Sequence, residues 1–198
     1  MKNIKHTLLL FLMASTSIFT SCTDNVEPLD PAVVIPEPSS NGKFKVDIDG
    51  KTFVATNIQA SLSANAIAIT GLRSGSNDLL QITLPSPLNQ VGTYTWENAI
   101  ANNAVLGLIY SNASSEAFIS VPNDGEFADF PAYVDNAVIT ISSIDTTNKT
   151  ISGTFQFTGG RINLDGNLTI KKFTNGSFTE IGYTGEIPEP SGNTFLQN

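Results

Sequence analysis

Phe44-Lys45-Val46-Asp47-Ile48-Asp49-Gly50-Lys51-Thr52-Phe53-Val54-Ala55 decides how the chain is read. Phe44, Val46 and Ile48 alternate with Lys45, Asp47 and Asp49, the period-2 signature of a half-buried strand. Asp49-Gly50 then supplies the positive φ angles of a two-residue hairpin turn. The register that follows puts Ile48 opposite Lys51, Val46 opposite Phe53 and Phe44 opposite Ala55. The apolar residues of both strands then share one face.

Outward from this hairpin the same period recurs. Ile67 and Ile69, then Leu80, Ile82 and Leu84, and later Ile139 and Ile141, alternate between turns rich in Gly, Ser, Asn and Pro. Ile151, Gly153, Phe155 and Phe157 alternate with Thr150, Ser152, Thr154, Gln156 and Thr158, predicting a strand with a hydroxyl-rich outer face. Asn175-Gly176 predicts a second hairpin, with Phe173 facing Phe178, and Gly71, Gly75, Gly107, Gly159 and Gly160 read as turn glycines. Helical i, i+3, i+4 spacing is never sustained; the best stretch, Glu97 to Val105, is short and Asn-rich. A parallel α/β sheet is disfavoured. The expected fold is all-β, an antiparallel β-sandwich of about nine to eleven short strands, with a closed or partly open barrel as the alternative.

The flanks differ from this body. Lys2 and Lys5, the apolar run Leu8 to Ala14 and the small polar run to Ser21-Cys22 have the layout of a secretory leader over residues 1–21. Its apolar run falls well short of the roughly 20 residues needed to span a bilayer. Phe19-Thr20-Ser21-Cys22 resembles a bacterial lipobox, which makes Cys22 the lipidated first residue of the mature chain, held by more than one acyl chain. Thr23, rather than Asp, follows it, as in outer-membrane sorting. Residues 22–42, with Pro28, Pro31, Pro36 and Pro38, read as an extended tether. The domain is expected over 43–185, and 186–198 as a loose tail.

Composition narrows the chemistry. The 198 residues are 40% hydrophobic and 14% charged, with 10 Lys+Arg against 18 Asp+Glu and a net charge of -8. Such an aliphatic content argues against a disordered acidic chain. Losing Lys2 and Lys5 with the leader takes the mature charge to about -10, which excludes nucleic acid as a natural partner. The one histidine, His6, is in the leader and the one cysteine, Cys22, at its boundary, so the domain lacks the usual base for a serine nucleophile and any thiol. No cofactor is expected.

Phe44 to Ala55, Gly92-Thr93-Tyr94, Ile139-Thr140-Ile141, Ile151 to Phe157 and Thr174 to Phe178 together resemble an uncharacterised, domain-of-unknown-function family of small β-rich Bacteroidetes envelope lipoproteins. These motifs are turn glycines and core aromatics. The resemblance implies a small β-rich lipoprotein of the cell envelope, and brings no functional residue with it.

Three constellations remain. Pro122-Asn123-Asp124-Gly125-Glu126-Phe127-Ala128-Asp129 offers hard oxygen ligands, but it lacks the glycine and glutamate positions of an EF-hand. It reads as a solvated loop, with Asp124, Glu126 and Asp129 as the metal candidates. Tyr94 and Trp96 are expected on one side of one strand, either packed in the core, where the indole N–H needs a partner, or exposed to stack on a glycan or protein partner. Asp145-Thr146-Thr147 resembles an O-glycosylation site of envelope proteins of that phylum, at Thr146, and is equally an ordinary turn. The expected function is a lipid-anchored, non-catalytic binding or structural module with an unidentified protein or glycan partner. The alternative is a carboxylate-based glycoside hydrolase acting on envelope or dietary glycans.

Overall fold

The computed structural model describes residues 42–76 and 78–185. The leader, Cys22, nearly all of the tether and the tail lie outside the described residues. Eleven strands and one short helix follow in order: β1 (Lys43–Ile48), β2 (Lys51–Val54), β3 (Asn57–Leu62), β4 (Ala66–Arg73), β5 (Asp78–Pro85), β6 (Gly92–Thr95), α1 (Trp96–Ala101), β7 (Gly107–Ser111), β8 (Ala117–Ile119), β9 (Val138–Asp145), β10 (Thr150–Ile162) and β11 (Leu168–Thr184). The fold is all-β.

Pairing runs β2-β1-β11-β3-β4-β5-β7-β8-β10-β9-β6, with a further β10–β11 pairing. The long pairings divide this sheet into two stretches, the A layer (β2-β1-β11-β10-β9-β6) and the B layer (β3-β4-β5-β7-β8). Two short seams join them: Tyr183 and Thr184 of β11 beside Ala60 and Ser61 of β3, and Gly160 of β10 opposite Ile119 of β8. The layers face each other. Tyr110 of β7 lies 5.4 Å from Phe173 of β11, ring to ring, and Phe44 of β1 packs against Gly71 of β4. This arrangement fits the expected sandwich, in which the longest strands pass from one layer to the other. It departs from a wholly antiparallel sheet, because the β11–β3 seam is parallel.

Alternation drives the packing. The inner face gathers Phe44, Phe53, Phe155, Phe157, Phe173 and Phe178, all essentially buried, each contributing roughly 1.5–3 kcal/mol by leaving water. Phe157 and Phe173 stack with centroids 4.1 Å apart and planes 7° from parallel. The Asp49-Gly50 hairpin forms as expected: φ is +50° and +79°, Ile48 pairs with Lys51 and Val46 with Phe53, and Ala55 N–H donates to the Phe44 carbonyl.

Asn175-Gly176 does not close a hairpin. β11 runs straight through it, paired with β1 on one side and β10 on the other, and the two residues form a bulge. Asn175 takes the positive φ, +54°, whereas Gly176 is required for close approach: a Cβ there would meet the Phe155 carbonyl oxygen at 2.5 Å. Phe173 and Phe178 therefore lie on one strand, opposite Phe157 and Gly153 of β10.

The turn reading of the other glycines holds only for Gly75. Gly71, Gly107, Gly159 and Gly160 sit inside strands, at places where a side chain would strike a neighbour. Thr158 also departs from the expected hydroxyl-rich outer face. It is buried and donates to Asn136 Oδ1 at 2.9 Å, because β10 continues to Ile162 and is covered on both sides from Phe157 to Gly160.

Candidate functional site

The outer rows of the B layer can be read across all five strands. Asn57, Leu72, Leu79, Ser111 and Ala117 form one row, and Gln59, Thr70, Gln81, Ile109 and Ile119 the next. A third holds Ser61, Ala68, Thr83 and Gly107, and Ala66 pairs with Pro85 beyond it. No charged residue occurs in these rows. The only charged residues in the B-layer strands, Arg73 and Asp78, pair with each other on the inward-facing side.

Arg73 of that ion pair lines a cleft of about 240 Å³, shared by both layers, together with Ile48, Asp49, Lys51, Thr52, Phe53, Tyr110 and Lys171. The local sequence explains each position. The tight β1–β2 turn presents Asp49 and Lys51, and Asp49 Oδ1 accepts from the Lys172 N–H at 2.9 Å while Oδ2 takes Lys171 Nζ at 3.3 Å. The Arg73 guanidinium lies 5.2 Å over the Phe53 ring and also donates to Ser76 Oγ. Asp78 is 4% exposed, a buried carboxylate held by its arginine. Burial pushes the Tyr110 phenol above its ordinary value, and the neighbouring Asp78 carboxylate adds to the rise. Chemically this cleft offers three cations, two of them already paired, over Phe53 and Tyr110, whose rings are themselves buried. Such a surface suits an anionic or hydroxyl-rich ligand.

A second groove, about 470 Å³, opens on the outer A face above the β11 bulge and is lined by Lys45, Thr154, Gln156, Asn175 and Ser177 among others. The bulge is tied down by Asp47, which accepts from Asn175 at 3.0 Å and Thr52 at 2.7 Å. These hydrogen bonds hold its carboxyl below the usual range.

Tyr94 and Trp96 do not share a strand. β6 ends at Thr95, which caps α1 with Asn98 in a reciprocal capping box, so Trp96 opens the helix. Both are buried, 8% and 4% exposed, and neither presents a ring face for stacking. The indole N–H finds Ser120 Oγ at 3.0 Å, and the Tyr94 hydroxyl donates to the Gln90 carbonyl.

The acidic loop has a packing role. Its Phe127 packs on Gly160, on the far side of β10 from the main core, with Tyr133 at 4.9 Å. The Tyr133 hydroxyl donates to the Val121 carbonyl and accepts from the Val121 N–H, fixing the loop base. Asp124, Glu126 and Asp129 are exposed around this plug. Among the described residues no three His, Cys, Asp or Glu side chains gather with metal-ligand spacing. Asp135, at the end of this region, has its carboxyl raised by burial. Thr146 is exposed in the β9–β10 turn, where Asp145 accepts from the Thr147 and Asn148 N–H groups.

A family model described as Domain of unknown function (DUF6252) matches residues 40–182. The chain belongs to this family. No curated protein and no solved structure matches it. The DUF6252 match spans every strand of both layers except the last two residues of β11. Sequence reasoning missed its cleft, because Asp49, Arg73, Tyr110 and Lys171 are far apart in the chain, and the one of them in a local motif, Asp49, reads there as a turn residue. It missed the uncharged B face for a plainer reason: β3, β7 and β8 are short and carry few of the bulky alternating residues by which the other strands were read.

Proposed function

We propose that the protein is an outer-membrane lipoprotein of the cell envelope, anchored through Cys22, whose DUF6252 domain is a non-catalytic binding module. The observation that carries the binding role is the concentration of Lys51, Arg73 and Lys171 around one cleft in a chain of net charge -8. A local positive site on a negative body focuses small anions while the rest of the surface repels them. Lys51 supplies the charge left over after Arg73 pairs with Asp78 and Lys171 with Asp49. The ligand class is a carboxylate-bearing sugar or similar small anion, its charge held at Lys51.

The carboxylates support this reading over hydrolysis. Asp47, Asp49, Asp78, Glu116 and Asp145 are engaged in hydrogen bonds or ion pairs that hold turns and strands together. Three experiments test the proposal. Cys22→Ala should move the protein from the membrane to the soluble fraction, and retention in the detergent phase overturns the anchor. Titrating uronic acids and their neutral parent sugars into the chain should give binding of the acids alone, weakened by Lys51→Ala. Sugar release from a polysaccharide screen would put the hydrolase first.

A further inference from the structure

We propose that the outer face of the B layer is a homotypic docking surface, on which a second copy of this chain packs face to face. The outer face of an antiparallel sandwich is ordinarily solvated and polar, with charges of both signs. Here the central row, Gln59, Thr70, Gln81, Ile109 and Ile119, and its neighbours carry none, while the ion pair of these strands is turned inward. The A layer of the same domain sets the contrast with Lys43, Lys45, Asp47 and Lys172 on its outer face.

The chemistry of the face selects its occupant. Within its rows it has no aromatic ring for a pyranose to stack on, no cation for a phosphate or an anionic lipid headgroup, and no carboxylate for a metal or a basic peptide; the acidic loop, whose Phe127 covers Gly160 opposite Ile119, borders it only at the β8 end. What complements small aliphatic, amide and hydroxyl side chains on a plane is another such plane, and this chain carries one. Like charge opposes association of two copies, since each is net -8, unless they meet where charge is absent. The B-layer pairings have no register shift, so the face lacks the bulges that bend the A layer. Two copies related by a two-fold axis would pack as sheets do, about 10 Å apart.

The size is adequate for a modest dimer. Five strands about 4.8 Å apart, paired over some five residues at about 3.3 Å each, give a patch of roughly 400 Å² in projection. Side-chain relief raises this, so two copies bury about 1,000 Å², the lower bound for a specific interface. A concentration-dependent dimer is expected.

Two differently tagged copies of the full chain, co-expressed with Gln81→Cys in both, would be oxidised in the membrane. The expected result is a disulfide-linked product carrying both tags, about tenfold more abundant than with Thr154→Cys on the opposite face, because a docked pair raises the effective thiol concentration. Adding Ile109→Asp should abolish the product, and Thr70→Lys provides a second charge insertion should that variant fail to fold, with protease resistance as the folding control. Equal products from both faces, no product from Gln81→Cys, or adducts that contain another protein would each overturn the proposal. So would protection of the Gln81→Cys thiol from a maleimide by added neutral polysaccharide without any two-tag product.

Discussion

The two outer faces of the sandwich are built from similar strands to opposite specifications. The A face carries Lys43, Lys45, Asp47 and Lys172 among its hydroxyls, and its side chains bond to each other, as Thr93 does with Thr140 at 3.0 Å and Asp47 with Thr52 and Asn175. Every register shift of the sheet lies in its pairings, β1–β11, β10–β11 and β9–β10. The B face is regular and uncharged, and its layer turns Arg73 and Asp78 toward the interior. Bulges and charges protect a sheet against association. Their segregation to one layer marks the other as the layer for which association is tolerated.

The sharpest way to break this contrast is to remove an A-layer bulge. A Cβ at Gly153 would collide with the Thr140 carbonyl oxygen and the Phe178 ring. Gly153→Val should therefore lose at least about 3 kcal/mol in urea denaturation, whereas Thr70→Val on the flat B face should stay within about 0.5 kcal/mol. Next is the inward ion pair. Asp78→Ala leaves Arg73 and Tyr110 without their buried carboxylate, and about 2 kcal/mol should be lost, less than for a fully buried pair because Arg73 is 40% exposed. A loss below about 0.5 kcal/mol would mean that the inward placement is incidental.

Acid titration separates the faces by a smaller effect. Hydrogen bonds from Asn175 and Thr52 lower the Asp47 carboxyl, and those from Asn148 lower Asp145, both in the A layer. Their stabilisation is present above the ordinary carboxylate pKa and disappears as pH falls through their lowered folded values. Asp47→Asn should flatten the acid limb of a stability profile, and no B-face substitution between uncharged residues should alter it. At the alkaline end, burial raises Tyr94, Tyr110, Tyr133 and Tyr183 in both layers. Stability is full below about pH 10 and lost as pH climbs through the folded values, with Tyr94 and Tyr183 in the A layer and Tyr110 in the B layer all contributing. The least change is expected from Thr140→Val, which removes one exposed hydroxyl pair and should shift stability by no more than about 0.5 kcal/mol.

The contrast was only half legible in the chain. Asp49-Gly50 was readable because turn chemistry is local and both residues adopt the φ angles they favour. Asn175-Gly176 carries the same signal and means something else, since a dipeptide cannot report that strands lie on both sides of it. Trp96 was assigned to a strand because alternation ran on past Thr95, while the Thr95–Asn98 capping pair redirected the backbone. The core phenylalanines were visible as alternation, and the uncharged face was written in β4 and β5 but needed β3, β7 and β8 aligned beside them. The cleft could not be read at all, because its groups meet only once the β1–β2 hairpin, β4, β7 and β11 are assembled.

The position of β11 in the order of pairing bears on how the chain comes to be folded. The B layer joins strands close in sequence, so it can begin to assemble from local contacts as the chain emerges. The A layer can form its local pairs, β1–β2 and β9–β10, but it cannot close, because the β1–β2 hairpin waits for Leu168–Thr184 to arrive from the opposite end of the domain, and the parallel seam waits for the last two residues of that strand. Closing so long a loop is slow. A chain threaded N-terminus first through a narrow channel would thus remain an open, half-paired ribbon until nearly all of the domain had passed, which is the form in which a polypeptide is easiest to move.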